Sequence, residues 1–145
     1  MVLCGRKIFG GSAQGETLVS REPISFYGGV NPDTGVVEEQ GHPLQGRSVA
    51  DRVLVFPGGK GSTVGSYTLY RMKKNGTAPA ALVNRECETI VAVGAIIAEI
   101  PCLDQIAIER IPDGVRVRVE ADLERIEILG GNGPQEDPSC RHGKE

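Results

Sequence analysis

The chain has no tryptophan, and only three tyrosines and three phenylalanines among its 145 residues. A core short of large rings has to be built from small aliphatic side chains, which suit pleated strands and close helix packing. None of the four cysteines, Cys4, Cys87, Cys102 and Cys140, belongs to a C-x-x-C pair. A metal site built by this chain alone is therefore not expected. Cys87 and Cys102 read as buried thiols, and Cys140 as an exposed one in a polar tail. There is no excess of basic residues: the formal net charge is -3, and no basic face stands out. That argues against a general nucleic-acid binder. There is no apolar run of membrane-spanning length, since residues 90–100 are too few and contain Glu99. Nor does the start, Met1-Val2-Leu3-Cys4-Gly5-Arg6, carry the apolar stretch of a secretory signal. One soluble, cytoplasmic domain with a single core is expected.

What the chain does have is glycine, 20 residues of it, and nine prolines. Many turns and a β-rich fold follow. The densest stretch is Pro57-Gly58-Gly59-Lys60-Gly61-Ser62-Thr63-Val64-Gly65-Ser66-Tyr67. It follows Val53-Leu54-Val55-Phe56, a buried strand by its composition. It precedes a helical segment over residues 64–74 that stops at Asn75-Gly76. Ser62 or Thr63 is placed to cap that helix. Glycines around a lysine let a ligand approach the backbone and leave N–H groups free to face it. A helix N-terminus and Lys60 add positive charge, so the stretch is a candidate site for a phosphate or a carboxylate. It is not a nucleotide P-loop, because Gly61 separates Lys60 from Ser62. A turn that uses glycine for its geometry alone is the other reading.

Along the chain, Lys7-Ile8-Phe9 and Thr17-Leu18-Val19 read as short strands joined by a flexible glycine loop over residues 10–15. That loop is either a plain connection or a second wall of the same cleft. Residues 23–30 read as an extended apolar stretch, Asn31-Pro32-Asp33-Thr34-Gly35 as a turn, and Val36-Val37-Glu38 as a strand. His42, before a proline in a polar loop, reads as a surface residue. Residues 77–84 read as a buried strand, Arg85-Glu86-Cys87-Glu88 as the opening of a second helix, and Pro101 as its end. Ile90, Val91, Gly94, Ala95 and Ala98 give that helix one packed face. Pro101-Cys102-Leu103 completes a strand–helix–strand–helix–strand series, which implies parallel strands with right-handed crossovers. Residues 106–111 and 115–120 read as a hairpin with one wet face, and Ile126-Glu127-Ile128 as a last strand. The fold class is α/β, with a small parallel βαβ core and flanking antiparallel strands. The glycine-rich end, residues 129–145, lacks the apolar content to order itself. The boundaries are thus 1–128 for the domain and 129–145 for a disordered tail.

Gly-Lys-Gly-Ser-Thr-x-Gly-Ser, Pro-Ala-Ala-Leu-Val-Asn and Val-Gly-Ala-Ile-Ile-Ala-Glu-Ile-Pro occur together here with residues 23–35 and His42-Pro43-Leu44-Gln45-Gly46. In this combination, over about residues 8–104, the chain resembles the aconitase X swivel domain family. The resemblance implies a swivelling β/β/α domain that closes over a large subunit. That partner carries an iron–sulfur cluster, expected as 4Fe–4S, on its own cysteines; this chain binds no metal. Together the two remove water from a hydroxy acid. In the archaeal branch the implied reaction converts mevalonate 5-phosphate to trans-anhydromevalonate 5-phosphate, on a mevalonate route to isoprenoids. The family's proton-accepting serine falls on Ser62, with Gly58, Gly59, Lys60, Gly61 and Thr63 as the anion-binding surround. A serine hydroxyl is a poor base at neutral pH, and the loop amides and Lys60 would favour its alkoxide. The rival within enzymes is the small subunit of cis-3-hydroxy-L-proline dehydratase. Outside them it is a stand-alone anion-binding or scaffold module. A phosphocarrier would need a histidine in the glycine loop, where neither His42 nor His142 lies.

Overall fold

The structure, a computed structural model, describes residues 1–129. The expected disordered tail, with Cys140 and His142, lies outside the described residues apart from Leu129. Eight strands occur: Val2–Cys4 (β1), Arg6–Phe9 (β2), Ser12–Val19 (β3), Val53–Phe56 (β4), Ala81–Asn84 (β5), Cys102–Asp104 (β6), Arg116–Glu120 (β7) and Arg125–Ile128 (β8). Two helices cross between them, Gly65–Asn75 (α1) and Thr89–Ala98 (α2). The strand order is β1-β8-β7-β3-β4-β5-β6-β2. β3, β4, β5 and β6 are parallel, while β2 adds antiparallel at one side and β7, β8 and β1 at the other.

Strand periodicity divides the core in two. Leu54, Phe56, Leu82 and Cys102 point to the helices and pack with Leu69, Met72, Val91 and Ala95. Val53, Val55, Val83 and Leu103 point the other way, onto Val117, Val119 and Ile126 of the antiparallel wing. Both faces of β4 and β5 are buried, which is why they read as unbroken apolar runs. The layers are therefore β/β/α, with the parallel strands in the middle. The helices approach closely at Gly94, where a Cβ would sit 2.5 Å from Leu69 Cδ1. The Ser66 hydroxyl also donates to the Ile90 carbonyl at 2.7 Å.

Several local expectations change. Residues 12–15 are not a loop, because β7 supplies a ladder that continues β3 through them. Residues 85–88 do not begin α2; Glu88 is its N-cap, and its carboxylate accepts from the amides of Ile90 and Val91. Residues 106–111 are not a strand, because β7 already has β3 and β8 on its two sides. The chain makes a 3₁₀ turn at Ile108–Arg110 instead and still buries Ile106, Ile108 and Ile111. Residues 23–38 hold only isolated bridges, Ile24 with Gly59, Val30 with Val37 and Val36 with Ser48. Among the described residues no helix is long and apolar enough to cross a membrane.

Candidate functional site

The parallel strands deliver their carboxyl ends to one edge, where open α/β sheets leave a crevice for ligands. The glycine stretch leaves β4 at this edge and is held from three sides. Asn84 Nδ2 donates to the Phe56 carbonyl at 3.1 Å, and Glu86 N–H to that of Pro57 at 3.1 Å. Ile24 N–H donates to Gly58 O at 3.2 Å, and Lys60 N–H to Ile24 O at 3.1 Å. Gly58, Gly59 and Gly61 are all required by contact, and a Cβ on Gly58 would lie 2.8 Å from the Glu86 carbonyl oxygen. A Cβ on Gly59 would lie 2.5 Å from Glu88 Oε1 and 2.6 Å from Val91 Cγ2. Gly61 has φ 89°, and a Cβ there would meet Ser25 Oγ at 2.5 Å.

The backbone amides of Gly59, Gly61, Ser62 and Thr63 have no protein acceptor among the described residues. The first amides of α1 do have acceptors: Gly65 N–H goes to Ser62 O at 2.9 Å, Ser66 N–H to Thr63 O at 3.2 Å and Tyr67 N–H to Val64 O at 2.9 Å. The unspent donors are thus those of the loop itself, and the helix start is closed by short-range bonds. Neither Ser62 nor Thr63 caps α1. Val64 occupies that position without a side-chain bond, because the chain enters the helix through a tight turn whose N-cap is already helical in φ and ψ. Ser62 is exposed; its Oγ accepts from Val64 N–H at 3.1 Å. The Ser62 O–H donates to no protein group among the described residues. That leaves an exposed hydroxyl held by one donor, with its own proton and a lone pair unspent.

Lys60 reaches the cleft but not as an unpaired cation. Its Nζ lies 2.7 Å from Glu39 Oε2, so the positive charge assigned to it from sequence is largely offset. Ser25, Tyr27, Gly28, Gly29, Glu39, Lys60 and Gly61 line an open cleft of about 400 Å³. Ser25, Tyr27 and Glu39 escaped the sequence reading. Residues 23–30 showed only an apolar extended pattern, and nothing local ties Glu39 to a lysine 21 residues later. Gly58 is buried at the base of the loop, whereas Gly61, Ser62 and Thr63 are exposed.

Other candidates fall elsewhere. The glycines of residues 10–15 lie before the start of β4, since Thr17 pairs with Val53, and so sit at the sheet edge away from the site. His42 is buried, not superficial: its Nε2 meets the Pro23 carbonyl at 3.0 Å and its Nδ1 accepts from Leu44 N–H at 3.0 Å. It ties the irregular segment together. Buried Asp104 takes both Nε and Nη2 of Arg6, at 2.9 and 2.8 Å, and the Cys87 amide at 2.9 Å. Beside it, a hydrogen bond to Cys87 and burial push the Cys102 thiol up, so it stays protonated. Cys87 is only half-buried. Among the described residues no three His, Cys, Asp or Glu side chains are placed to hold a metal ion.

Residues 2–128 match the aconitase X swivel domain family. The chain belongs to that family. Among its relatives is the phosphomevalonate dehydratase small subunit of Thermococcus kodakarensis, 54% identical over 129 residues that cover 89% of this chain and 97% of the relative. The protein of the same name from Methanosarcina acetivorans is 53% identical over 134 residues, 90% of this chain and 93% of the relative. Of solved structures, Thermococcus kodakaraensis aconitase X in its holo form superposes with a TM-score of 0.88 at 52% identity, covering 90% of this chain and 99% of that one. The solution structure of a UPF0107 protein gives 0.82 at 48% identity, with coverage of 90% and 100%. The β/β/α swivel domain is therefore the observed fold of this aconitase X family member.

Proposed function

We propose that this chain is the small subunit of a phosphomevalonate dehydratase, a hydro-lyase acting in the cytoplasm with a separate large subunit. The substrate is mevalonate 5-phosphate and the product trans-anhydromevalonate 5-phosphate. Likeness above 50% over nearly the full length of relatives with that name supports the substrate assignment. The chain's own part rests on one observation: an exposed Ser62 hydroxyl beside the unspent amides of Gly59, Gly61, Ser62 and Thr63.

Elimination breaks a C–H bond beside the carboxylate and a C–O bond at the next carbon, and the electron pair of the first becomes the double bond. Ser62, as alkoxide, takes the proton. The amides of Gly59, Gly61 and Thr63 hold negative charge on Ser62 or on an oxygen of the substrate. An iron–sulfur cluster, which we place as 4Fe–4S on the large subunit, supplies a Lewis acid for the departing hydroxyl when bound. The cis-3-hydroxy-L-proline alternative needs a carboxylate for the substrate's ammonium. Glu39 is the acid in this cleft, and it is committed to Lys60. The test is an anaerobic assay of the assembled complex on both substrates. Turnover of mevalonate 5-phosphate with none of cis-3-hydroxy-L-proline is expected. The reverse preference would overturn the assignment.

A further inference from the structure

α2 reads Thr-Ile-Val-Ala-Val-Gly-Ala-Ile-Ile-Ala, without one charged side chain. A helix on the outside of a domain normally turns charged residues to water. Its inner face is accounted for, with Val91, Gly94, Ala95 and Ala98 buried. Its outer face exposes Val93 by 42%, Ile96 by 49% and Ile97 by 37%. α1 lies alongside and runs the same way, with Gly65 against Ile90 at one end and Lys73 Nζ on the Glu99 carbonyl at the other. It contributes Tyr67 and Tyr70, with Val64 just before its start. Six of the eight large hydrophobic residues exposed among the described residues thus fall on this helix pair. The opposite layer is different: Arg116 and Arg118 of β7 are exposed, and Arg118 is paired with Glu127. At the loop end of the helices, an apolar groove of about 260 Å³ is lined by Thr63, Val64, Ser66, Tyr67, Thr89, Ile90 and Val93. The groove begins one residue after Ser62.

We infer that the outer face of the two helices is the surface on which the large subunit docks. The inference rests on the proposed function. Ser62 can act on a substrate held by another chain only if that chain is seated against its loop. The stripe starts beside that loop, at Thr63 and Val64. Its aromatic and aliphatic centre, bordered by Arg71, Lys73, Lys74 and Glu99, has the composition of an interface core with a polar rim. A second copy of this chain on the same stripe would cover the loop and shut out the substrate.

The test is anaerobic titration of the full chain into the large subunit, with circular dichroism and thermal melting of each free variant. Ile96→Glu puts a charge in the last turn of α2, at the far end of the helix from the loop that holds Ser62. It is expected to keep the wild-type spectrum and to weaken association by at least about tenfold, the scale of a buried interface residue. Ile96→Ala, which leaves the helix intact, is expected to weaken it by a smaller factor. Arg116→Glu on the wet face is expected to bind like wild type. Equal binding by wild type and both Ile96 variants would overturn the docking face while leaving the proposed function standing. Failure of wild type to bind any large subunit would overturn both. A self-associating chain made monomeric by Ile96→Glu, with its affinity for the large subunit unchanged, would assign the stripe to a second copy and also overturn the inference.

Discussion

Residues 10–15 and residues 57–61 carry three glycines each, and both read from sequence as possible walls of one cleft. In the fold they lie at opposite edges of the same parallel strands. In the first segment, residues 12–15 are drawn into the β3–β7 ladder, and the Gly11 amide goes to Asp122 Oδ2. In the second, one amide bonds to Ile24 O, while those of Gly59 and Gly61 have no acceptor among the described residues. Glycine content alone does not make a site. What separates the two is position at the carboxyl end of a parallel strand, together with donors the fold leaves unspent.

The sharpest way to test that contrast is to remove one hydroxyl from each segment. Ser62→Ala is expected to cut turnover of the assembled enzyme by about 10²–10⁴-fold, the usual share of a general base, with the complex intact. Ser12→Ala, in the ladder, is expected to leave turnover within about twofold, since an exposed strand residue remote from the site takes no part in proton transfer. Steady-state rates measured without oxygen compare the two. Similar losses would erase the distinction.

Next in size is a methyl group added to each segment. Gly59→Ala pushes against the Glu88 carboxylate and Val91, and should cost about 1–3 kcal/mol in urea unfolding of the isolated chain. Gly15→Ala has one tight contact, the Asp51 carbonyl at 3.1 Å, with Val53 at ordinary distance, and should cost less than Gly59→Ala. A smaller effect is expected from Glu88→Ala, which removes the α2 cap and should cost about 1 kcal/mol. If Gly59→Ala acts by displacing that cap, the double variant should lose less than the sum of the two single losses. Smallest is Glu39→Gln. The exposed Lys60–Glu39 pair should contribute no more than about 1 kcal/mol to stability. Freeing Lys60 should lower KM for the anionic substrate a few-fold, with kcat little changed. A raised KM would mean that Glu39, rather than Lys60, meets the substrate.

Much of this was legible in the sequence for physical reasons. β4 and β5 are buried on both faces, so their apolar runs were continuous. The stop of α1 was written as Gly76, whose φ of 76° closes the helix. The loop itself was visible because strand, glycines, hydroxyls and helix follow one another locally. What could not be read depends on partners remote in sequence. Nothing near His42 indicates that Pro23 O and Leu44 N–H will bury it. The Lys60–Glu39 pair and the contact of Ser25 with Gly61 arise only when residues 23–39 fold across the loop. The strand expected at residues 106–111 had enough apolar residues but no free ladder to join.

The central claim is that Ser62 accepts the proton beside the carboxylate. The most direct measurement is hydrogen exchange at that carbon of mevalonate 5-phosphate in D₂O, followed by NMR with the assembled complex. Wild type should incorporate deuterium there. The Ser62→Ala complex, shown by titration to be fully associated and to bind substrate, should not. Exchange at an equal rate in both would contradict the account and leave Ser62 as the turn residue that receives Val64 N–H.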